Sequence, residues 1–515
     1  MKEQVPDVLV VGAGSAGAAL AARLSEDPDR RVLLVDEGPD HEAGAWPERV
    51  RDPSTLPSPT LDRGWTRWVE VVLHDDRRTV VPRGRTVGGS SAVNGTYFVR
   101  GTVADFDAWA ARGGPGWAFE AVLPAFRRLE SDLDLGDRPW HGDDGPVPVS
   151  RPAAGAIHPV TEGFLAAAAA HAHPAVADLN EPGACGAGLV PCNVAGGERV
   201  NVGMAYLDAC RDRPNLTVRG GVRVRRVVIE RGRAIGVEVD AGRTSRILRA
   251  GHVVLSAGAV ATAQLLMLSG IGPAEELLAQ GIDVVVDAPG VGRVRDHPAI
   301  DLMWEPRSAL PPAPAGPAFQ AALHLSSGVA GDDDLELLAM VRPYGLSDGS
   351  DPDDAARSLR VGIQRCARPG TVRLASAAPH APPVVELGYL ADAEDRARAR
   401  EGVRRAVELL ESAEMRAAVG AVTLRAAPSP RELADDDELD RWVREHLGTS
   451  MHSSGTAAMG PEGDPSAVVD ERCRVRGVEG LLVADTSIVP VPLSRGPAAT
   501  AVMIGERVAE LYPEG

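Results

Sequence analysis

The feature that most constrains this chain is a glycine-rich turn near its N-terminus. The apolar run at residues 7–11 leads into Gly12-Ala13-Gly14-Ser15-Ala16-Gly17, and an alanine-rich helical pattern follows. A strand, a Gly-x-Gly-x-x-Gly turn and a helix in this order are typical of a dinucleotide-binding unit. Gly12 allows the sharp turn, Gly14 lets a pyrophosphate approach the backbone, and Gly17 brings helix and strand close. The N–H groups at Ser15 and Ala16 begin the helix and can face phosphate.

A second apolar run, residues 31–35, ends in Asp36 and is followed by Glu37. A carboxylate at Asp36 can accept hydrogen bonds from a ribose 2′-hydroxyl, and it disfavours a 2′-phosphate. A Gly-x-Gly-x-x-Gly sequence alone is often only a turn. Together with the helix, the second strand and its terminal acid, it predicts a site for FAD or NAD rather than NADP.

Length and charge narrow the class of protein. A chain of 515 residues has room for two or three domains, and its net charge of −18 argues against nucleic acid or an anionic membrane as the main partner. The chain enters its first strand at once, and no apolar run approaches the ~20 residues that span a bilayer, so we expect a cytoplasmic protein.

The cysteine and histidine patterns predict no metal site. The five cysteines show no Cys-x-x-Cys spacing, which indicates neither a disulfide framework nor a zinc site. His171 and His173 have ligand-like spacing but no third candidate ligand near them in the sequence. We therefore expect that the protein binds no metal.

A second glycine-rich stretch follows a hairpin predicted from residues 69–73 and 78–82. Its candidate ligand-binding residues are Gly84, Arg85, Gly88, Gly89, Ser90, Asn94 and Gly95. Small residues in succession let the main chain lie against a flat or charged ligand and offer their N–H groups to it. A surface loop is the alternative, but an apolar run at residues 97–99, predicted to be a buried strand, follows directly.

Residues 84–95, with Tyr97, Arg100-Gly101 and residues 105–109, resemble the first signature of the glucose-methanol-choline (GMC) oxidoreductases. Residues 253–273, which include Ala257 and Gly258, are similar to the second signature. The resemblance implies an α/β protein in which a Rossmann-like FAD-binding domain is interleaved with a substrate domain built on an antiparallel sheet. It also implies FAD rather than NAD, with the backbone at Val224 near the adenine. Some members attach FAD through a histidine at the position of Val93, so non-covalent FAD is expected here.

The resemblance divides the chain into five segments. It assigns residues 1–155 to the first part of the FAD-binding domain, 156–196 to an insertion of the substrate domain or a loop, 197–298 to the second FAD part, 299–439 to the substrate domain, and 440–515 to the third FAD part.

His452 stands in the family's His-x-x-Gly-Thr-x-x-Met-Gly motif, whose histidine lies over the flavin beside the alcohol. Hydride leaves a carbinol carbon only as the hydroxyl gives up its proton, and imidazole, which titrates near neutrality, suits that task. The resemblance thus implies oxidation of a small-molecule alcohol to a carbonyl by hydride transfer to flavin N5, with His452 as base. Asp485, which ends an apolar run, is expected to bond a ribityl hydroxyl, and His297 to be structural.

The sequence departs from the family at a second active-site position, where members have His or Asn. Counted back from Thr500 and Glu506, this position is Ala498, which can neither donate nor accept, although Ala498 and Thr500 are still expected near the cofactor. Ser494, Arg495 or a water could supply the missing bond, and Arg495 could hold an acidic substrate.

Two further hypotheses stay open. The change at Ala498 favours, as the alternative, a non-oxidative flavoprotein such as a lyase or isomerase, and a non-catalytic FAD-binding module is the third.

Residues 131–146 and 495–500 resemble the mycofactocin-associated subgroup, which is thought to pass electrons onward rather than to dioxygen. The electron acceptor of a dehydrogenase or oxidase is open among dioxygen, a quinone and a redox protein.

Overall fold

The computed structural model describes residues 5–56, 64–306, 310–329, 333–342 and 357–512. Its helices are α1 (Ser15–Leu24), α2 (Glu48–Arg51), α3 (Val103–Gly113), α4 (Phe119–Leu129), α5 (Pro159–Ala170), α6 (Ala259–Leu268), α7 (Ala274–Ala279), α8 (Ala393–Leu410), α9 (Ala413–Val419), α10 (Pro430–Ala434), α11 (Asp436–His446) and α12 (Ala498–Leu511). Its strands are β1 (Val8–Val11), β2 (Val32–Val35), β3 (Thr66–His74), β4 (Arg77–Gly84), β5 (Glu130–Asp132), β6 (Val147–Val149), β7 (Ala187–Leu189), β8 (Val194–Ala195), β9 (Glu198–Arg199), β10 (Leu216–Arg219), β11 (Val224–Glu230), β12 (Arg233–Ala241), β13 (Thr244–Arg249), β14 (His252–Leu255), β15 (Ile271–Gly272), β16 (Val286–Asp287), β17 (Arg293–Val294), β18 (Pro298–Pro306), β19 (Phe319–Leu325), β20 (Leu335–Met340), β21 (Arg357–Ile363), β22 (Gly370–Arg373), β23 (Val384–Glu386), β24 (Val422–Ala426), β25 (Leu447–Thr449) and β26 (Leu481–Val483).

A five-stranded sheet in the order β10-β2-β1-β14-β26 carries the glycine-rich turn. All of its neighbouring strands are parallel, and β1, β2, β14 and β26 are almost entirely buried apolar residues. Continuous apolar strands are what a parallel sheet needs when helices cover both of its faces. The strand, turn and helix predicted from the first glycine-rich motif are therefore confirmed, and the sheet is Rossmann-like.

A second large sheet is antiparallel and has the order β24-β18-β21-β20-β19-β7, with β25 also paired to β18. Helix α8 packs on one face so closely that a Cβ added at Gly402 would lie 2.5 Å from a methyl of Val361. The predicted fold class, a Rossmann-like sheet with an antiparallel substrate-domain sheet, is therefore confirmed. The division into five segments remains a prediction.

A smaller sheet contains the predicted hairpin, because β3 and β4 pair antiparallel along their length. The strand predicted at residues 97–99 is wrong. Tyr97 makes one isolated bridge to Cys192, and Thr96 before it has a φ of 64°. Phe98 and Val99 are buried and Tyr97 is half-buried, and their side chains pack into two different apolar clusters. Separately, among the described residues no helix is both long and apolar enough to cross a membrane.

Helices α1 and α12, which stand far apart in sequence, pack against each other. A Cβ added at Gly505 in α12 would lie 2.3 Å from the carbonyl oxygen of Ala16 in α1, a distance that no Cβ tolerates. The glycine therefore sets how closely the last helix approaches the first one.

We predict that Gly505→Ala lowers the free energy of unfolding by about 1–3 kcal/mol, because overpacking against backbone outweighs the better helix propensity of alanine. Urea unfolding followed by circular dichroism measures this. Gly155→Ala is the matched control, since nothing lies within 4 Å of its added Cβ. Equal stability of the two variants would contradict the close approach of the two helices.

Candidate active site

At the first glycine-rich turn, neighbouring backbone lies so close to the glycines that no side chain would fit there. Gly12 has a φ of 99°, and a Cβ there would lie 2.4 Å from the carbonyl oxygen of Ser256 beyond β14. A Cβ at Gly17 would lie 2.0 Å from the carbonyl oxygen of Gly12. Gly14 caps α1, so the first N–H groups of the helix, from Ser15 onward, point out of the turn.

The second glycine-rich stretch lies directly on this turn. The Gly88 N–H donates to the carbonyl oxygen of Ala13 at 2.8 Å. A Cβ at Gly89, whose φ is 54°, would lie 2.6 Å from the Cα of Gly14. The two stretches, far apart in sequence, thus form one cradle of backbone, the arrangement that a pyrophosphate needs.

The two acids after β2 differ in their surroundings. Asp36 accepts from the N–H groups of Ala13 and Gly38, at 2.8 and 2.7 Å, and burial raises its pKa to about 6. Glu37 instead forms ion pairs with Arg67 and Arg85. Asp36 therefore lies at the turn, as a ribose ligand requires, while Glu37 and Arg85 neutralise each other beside it.

Asp485, just after β26, reaches across the edge of the parallel sheet. Its carboxylate accepts from the Gly258 N–H at 2.8 Å and from the Thr262 hydroxyl at 2.6 Å, and burial raises its pKa. Gly258, with a φ of 83°, follows Ala257 and lies directly before α6.

The other predicted cofactor residues lie as follows: Ser90 accepts from the Gly84 N–H, Asn94 accepts from the Thr96 N–H, Gly95 faces the ring of Phe319, and Val224 begins β11.

These residues fit an FAD molecule. The glycine cradle accepts its pyrophosphate, and Asp36 and Asp485 lie at the ends of two parallel strands, where they can hold its hydroxyl groups. The hydroxyl of Thr500 is buried in the first turn of α12 and has no hydrogen-bond partner within the described part of the chain. A buried hydroxyl without a hydrogen-bond partner is expected where a ligand completes its hydrogen bonds.

His452 lies in a loop after β25, and two interactions fix it. Its backbone N–H donates to a carboxylate oxygen of Asp296 at 2.7 Å, and its ring Nδ1 lies 2.9 Å from Nδ1 of His297. The two rings are nearly perpendicular, at 89°. Burial lowers the pKa of His452 well below its ordinary value, so the ring is neutral at pH 7.

The hydrogen bond between the two rings couples the tautomer of His452 to that of His297. Burial lowers the pKa of His297, so it is neutral at pH 7 and has one ring N–H. Between two neutral rings joined through their Nδ1 atoms, one Nδ1 donates and the other accepts. In the tautomer in which Nδ1 of His452 donates, its Nε2 keeps a lone pair, as a base requires.

Asp296 organises the loop that carries His452. Its two carboxylate oxygens accept from the N–H groups of His297 and His452 and from the hydroxyls of Thr449 and Ser453. Arg83 lies 3.9 Å away and also donates to the Ser453 hydroxyl. The sequence prediction that His297 is structural is thus incomplete, since its ring contacts the candidate base directly.

The segment before α12 faces His452 through Gly496. A Cβ at Gly496 would lie 3.2 Å from Cε1 and 3.3 Å from Nε2 of the His452 ring. Ala498, which counting along the sequence puts at the second active-site position, begins α12 instead. Neither residue has a polar side chain that could bond to His452. The hydrogen-bond partner of the His452 ring is His297.

Ser494 and Arg495, the two residues that could replace the missing polar side chain, already form hydrogen bonds with other protein groups. The Ser494 hydroxyl donates to Asp105 at 2.7 Å and accepts from Arg365 at 2.9 Å. Arg495 is buried and donates to Asp333 at 2.6 Å. Because Asp333 balances its charge, the structure does not favour an acidic substrate at Arg495.

A second buried cluster of ionisable groups lies outside this site. Ligand atoms of Glu130, Asp132 and His141 all lie within 4.8 Å of one another, the geometry of a metal site. However, Arg100 bonds Glu130, and Arg151 bonds Asp132. Although burial lowers the pKa of His141, its hydrogen bonds to Asp178 and Glu130 raise it above the ordinary value. The cluster is therefore a charge-balanced structural network.

Comparison with known proteins agrees with this geometry. Two family models, both described as GMC oxidoreductase, match residues 6–299 and 367–505. An "uncharacterized GMC-type oxidoreductase" of Rhodococcus erythropolis is 40% identical over 98% of both chains. An "oxygen-dependent choline dehydrogenase" of Brucella ovis is 34% identical over 98% of this chain and 95% of its own length. The crystal structure of pyridoxine 4-oxidase from Mesorbium loti superposes with a TM-score of 0.90, at 30% identity, over 98% of this chain and 99% of that one.

We predict that Asp296→Ala lowers the free energy of unfolding by about 3–5 kcal/mol, because it leaves buried N–H donors without an acceptor and removes the negative charge beside Arg83. Asp296→Asn keeps an oxygen towards the two N–H groups and loses only the charge, so it costs about 1–2 kcal/mol. Chemical unfolding of both variants measures the difference. Equal losses would show that the carboxylate does not hold the loop through these donors.

Proposed function

The chain belongs to the GMC oxidoreductase family, and from this premise we propose that it oxidises the CH–OH group of a small-molecule alcohol to a carbonyl, with His452 as the base. It is an FAD-dependent oxidoreductase of the type that acts on CH–OH donors. The observation that carries the proposal is the neutral His452 ring, whose Nδ1 is bound to His297 and whose Nε2 stands over Gly496.

Each residue has a defined task in this proposal. His452 Nε2 takes the hydroxyl proton of the alcohol, and His297 keeps that nitrogen unprotonated beforehand by accepting from Nδ1. Asp296 fixes the loop, and Gly496 leaves the space in front of Nε2 without a side chain. The bound flavin supplies the acceptor for the hydride that leaves the carbinol carbon.

The cofactor and acceptor are part of the same proposal. Val93, at the position where some members attach FAD through histidine, is aliphatic, which supports non-covalent FAD. Resemblance at residues 131–146 and 495–500 supports the mycofactocin-associated subgroup and an acceptor other than dioxygen. The five free cysteines support a cytoplasmic location.

A non-oxidative lyase or isomerase reaction is the second candidate. The observation in its favour is that neither Ala498 nor Gly496 offers the polar side chain that the family has near its histidine. Product formed without reduction of the flavin, and without an electron acceptor, would select this candidate over oxidation. The engagement of His452 by His297 argues for oxidation, because it restores a partner for the base.

We predict that anaerobic mixing with a substrate alcohol bleaches the visible band of the flavin, and that His452→Ala slows this at least ~10²-fold, the usual contribution of a positioned base. Stopped-flow absorbance measures the rate constant. His171→Ala is the control, because His171 is exposed just after α5. A His452→Ala variant that bleaches as fast as the control would remove the proposed base. Admitting air to the reduced protein then tests dioxygen as the acceptor.

We also predict that the rate constant of bleaching at saturating alcohol is flat from alkaline pH down past 6.5 and falls only below it. A base works in its deprotonated form, and a pKa lowered well below 6.5 extends that form to more acidic pH. Stopped-flow measurements across pH give the apparent pKa of the acid limb. An apparent pKa at or above 6.5 would contradict the burial of His452 as the controlling effect.

A further inference from the structure

A row of opposed residues crosses the antiparallel sheet towards His297. His324 in β19 pairs with Glu336 in β20, which pairs with Gly362 in β21, which pairs with Ala299 in β18. Directly opposed residues of neighbouring strands point to the same face of a sheet, and residues two apart along a strand do so too. Ala299 follows His297 by two positions, so this row lies on the face that carries the partner of the base. Gly362 and Ala299 add almost no side chain to it.

Polar atoms along this row are buried and lack protein partners. Gln364 is fully buried, and both atoms of its amide find no hydrogen bond within the described ranges. Its Nε2 lies 2.7 Å from where a Cβ at Gly362 would stand, so the amide covers the gap beside Glu336. Nδ1 of His324 is likewise buried and without a partner in the described structure. Leaving such an atom without a hydrogen bond is unfavourable unless a ligand supplies one.

These atoms are mostly acceptors. Tyr97 and His324 both bond the same oxygen of Glu336, Oε2, each at 3.0 Å. The His324 proton is therefore on Nε2, and Nδ1 is an acceptor. The second oxygen of Glu336 receives no hydrogen bond from the described residues. With the Gln364 oxygen, three acceptors face one amide donor group, so a complementary ligand must be rich in N–H or O–H donors.

The row also carries an unbalanced negative charge. The other carboxylates around the site each pair with an arginine, namely Asp105 with Arg365, Asp296 with Arg83, Asp301 with Arg360, and Asp333 with Arg495. Glu336 accepts from two neutral groups, Tyr97 and His324, since burial and the charge of Arg495 lower the pKa of His324. The charge of Arg495 also acts on Glu336, but its guanidinium is paired with Asp333. Burial would raise the pKa of Glu336, but the hydrogen bond from His324 holds it below its ordinary value. A carboxylate that is buried without an opposite charge is unfavourable, and a bound cation would stabilise it.

We propose that Glu336, His324 and Gln364 form a recognition site for a protonated primary or secondary amine carried by the alcohol substrate. This inference rests on the proposed function, since the amine holds the substrate with its carbinol towards His452. An ammonium group supplies both the positive charge and the N–H donors that the row lacks. A quaternary ammonium supplies only the charge, and a neutral polyol supplies only the donors.

The test uses the FAD-loaded protein and three matched series of linear alcohols, two to six carbons long, that end in an ammonium, a methyl or a trimethylammonium group. Anaerobic stopped-flow mixing gives the apparent Kd for bleaching of the flavin. We expect the best ammonium alcohol to bind at least ~10-fold more tightly than its methyl and trimethylammonium counterparts. Equal affinity for the methyl or trimethylammonium compound would overturn the proposal.

Two variants locate the effect. Glu336→Gln should reduce the preference for ammonium to within ~2-fold and leave the methyl series nearly unchanged. Gln364→Leu removes an amide with no protein hydrogen bond, so it should fold normally and still weaken the ammonium series. Glu305→Gln in β18 is the control, because Glu305 pairs with Arg425 and should keep the preference. A preference that survives in both Glu336→Gln and Gln364→Leu would overturn the site.

A second measurement separates this site from the proposed oxidation. Linear alkylammonium ions, which have no carbinol, should raise the melting temperature of the wild-type holoenzyme in a saturable way but not that of Glu336→Gln. If they do so while no alcohol bleaches the flavin, the oxidation is wrong and the amine site stands. If they stabilise neither protein, or both equally, the amine site is wrong whatever the alcohols do.

Discussion

The parallel register of β2, β1, β14 and β26 aligns the carboxyl ends of these strands at one edge of the sheet. Asp36, the turn at Gly12, Ala257 and Asp485 each lie within two residues of the end of one of these strands. Ligands of parallel α/β sheets bind at this edge, because loops and helix N-termini converge there. The backbone contacts of Gly12 with Ser256 leave no space for any other residue at this position. The same contacts therefore set the packing of the strands and the shape of the nucleotide site.

The catalytic part of the site depends on a different arrangement, in which two loops meet. His297 stands just before β18 and His452 just after β25, and these strands pair side by side. The pairing brings the two rings together, and Asp296 holds the backbone of both. The sheet thereby holds His452, the proposed base, against His297 without any side chain from α12. This explains how the chain tolerates glycine and alanine where its family has a polar residue.

The sequence predicts best those parts of the site that are set locally. The turn from Gly12 to Gly17 and the motif at His452 each lie in one short stretch, where glycine spacing and a single imidazole carry the information. Counting residues from Thr500 gives Ala498, whereas the contact of Gly496 with the His452 ring carries no sequence signal, since distance along a turn before a helix does not measure distance in space. Glu336 and His324 have no motif, because only strand register brings them together.

Glu336 also connects recognition of the substrate to the chemistry of the base. Its charge raises the pKa of His452, whereas His297, Arg83 and Arg360 lower it. An ammonium bound at Glu336 cancels a charge that favours a protonated His452. The base then stays neutral to lower pH, but the imidazolium that forms when it takes a proton loses a stabilising neighbour. A substrate that gains affinity from Glu336 therefore gives up part of the electrostatic help that Glu336 offers to a neutral alcohol.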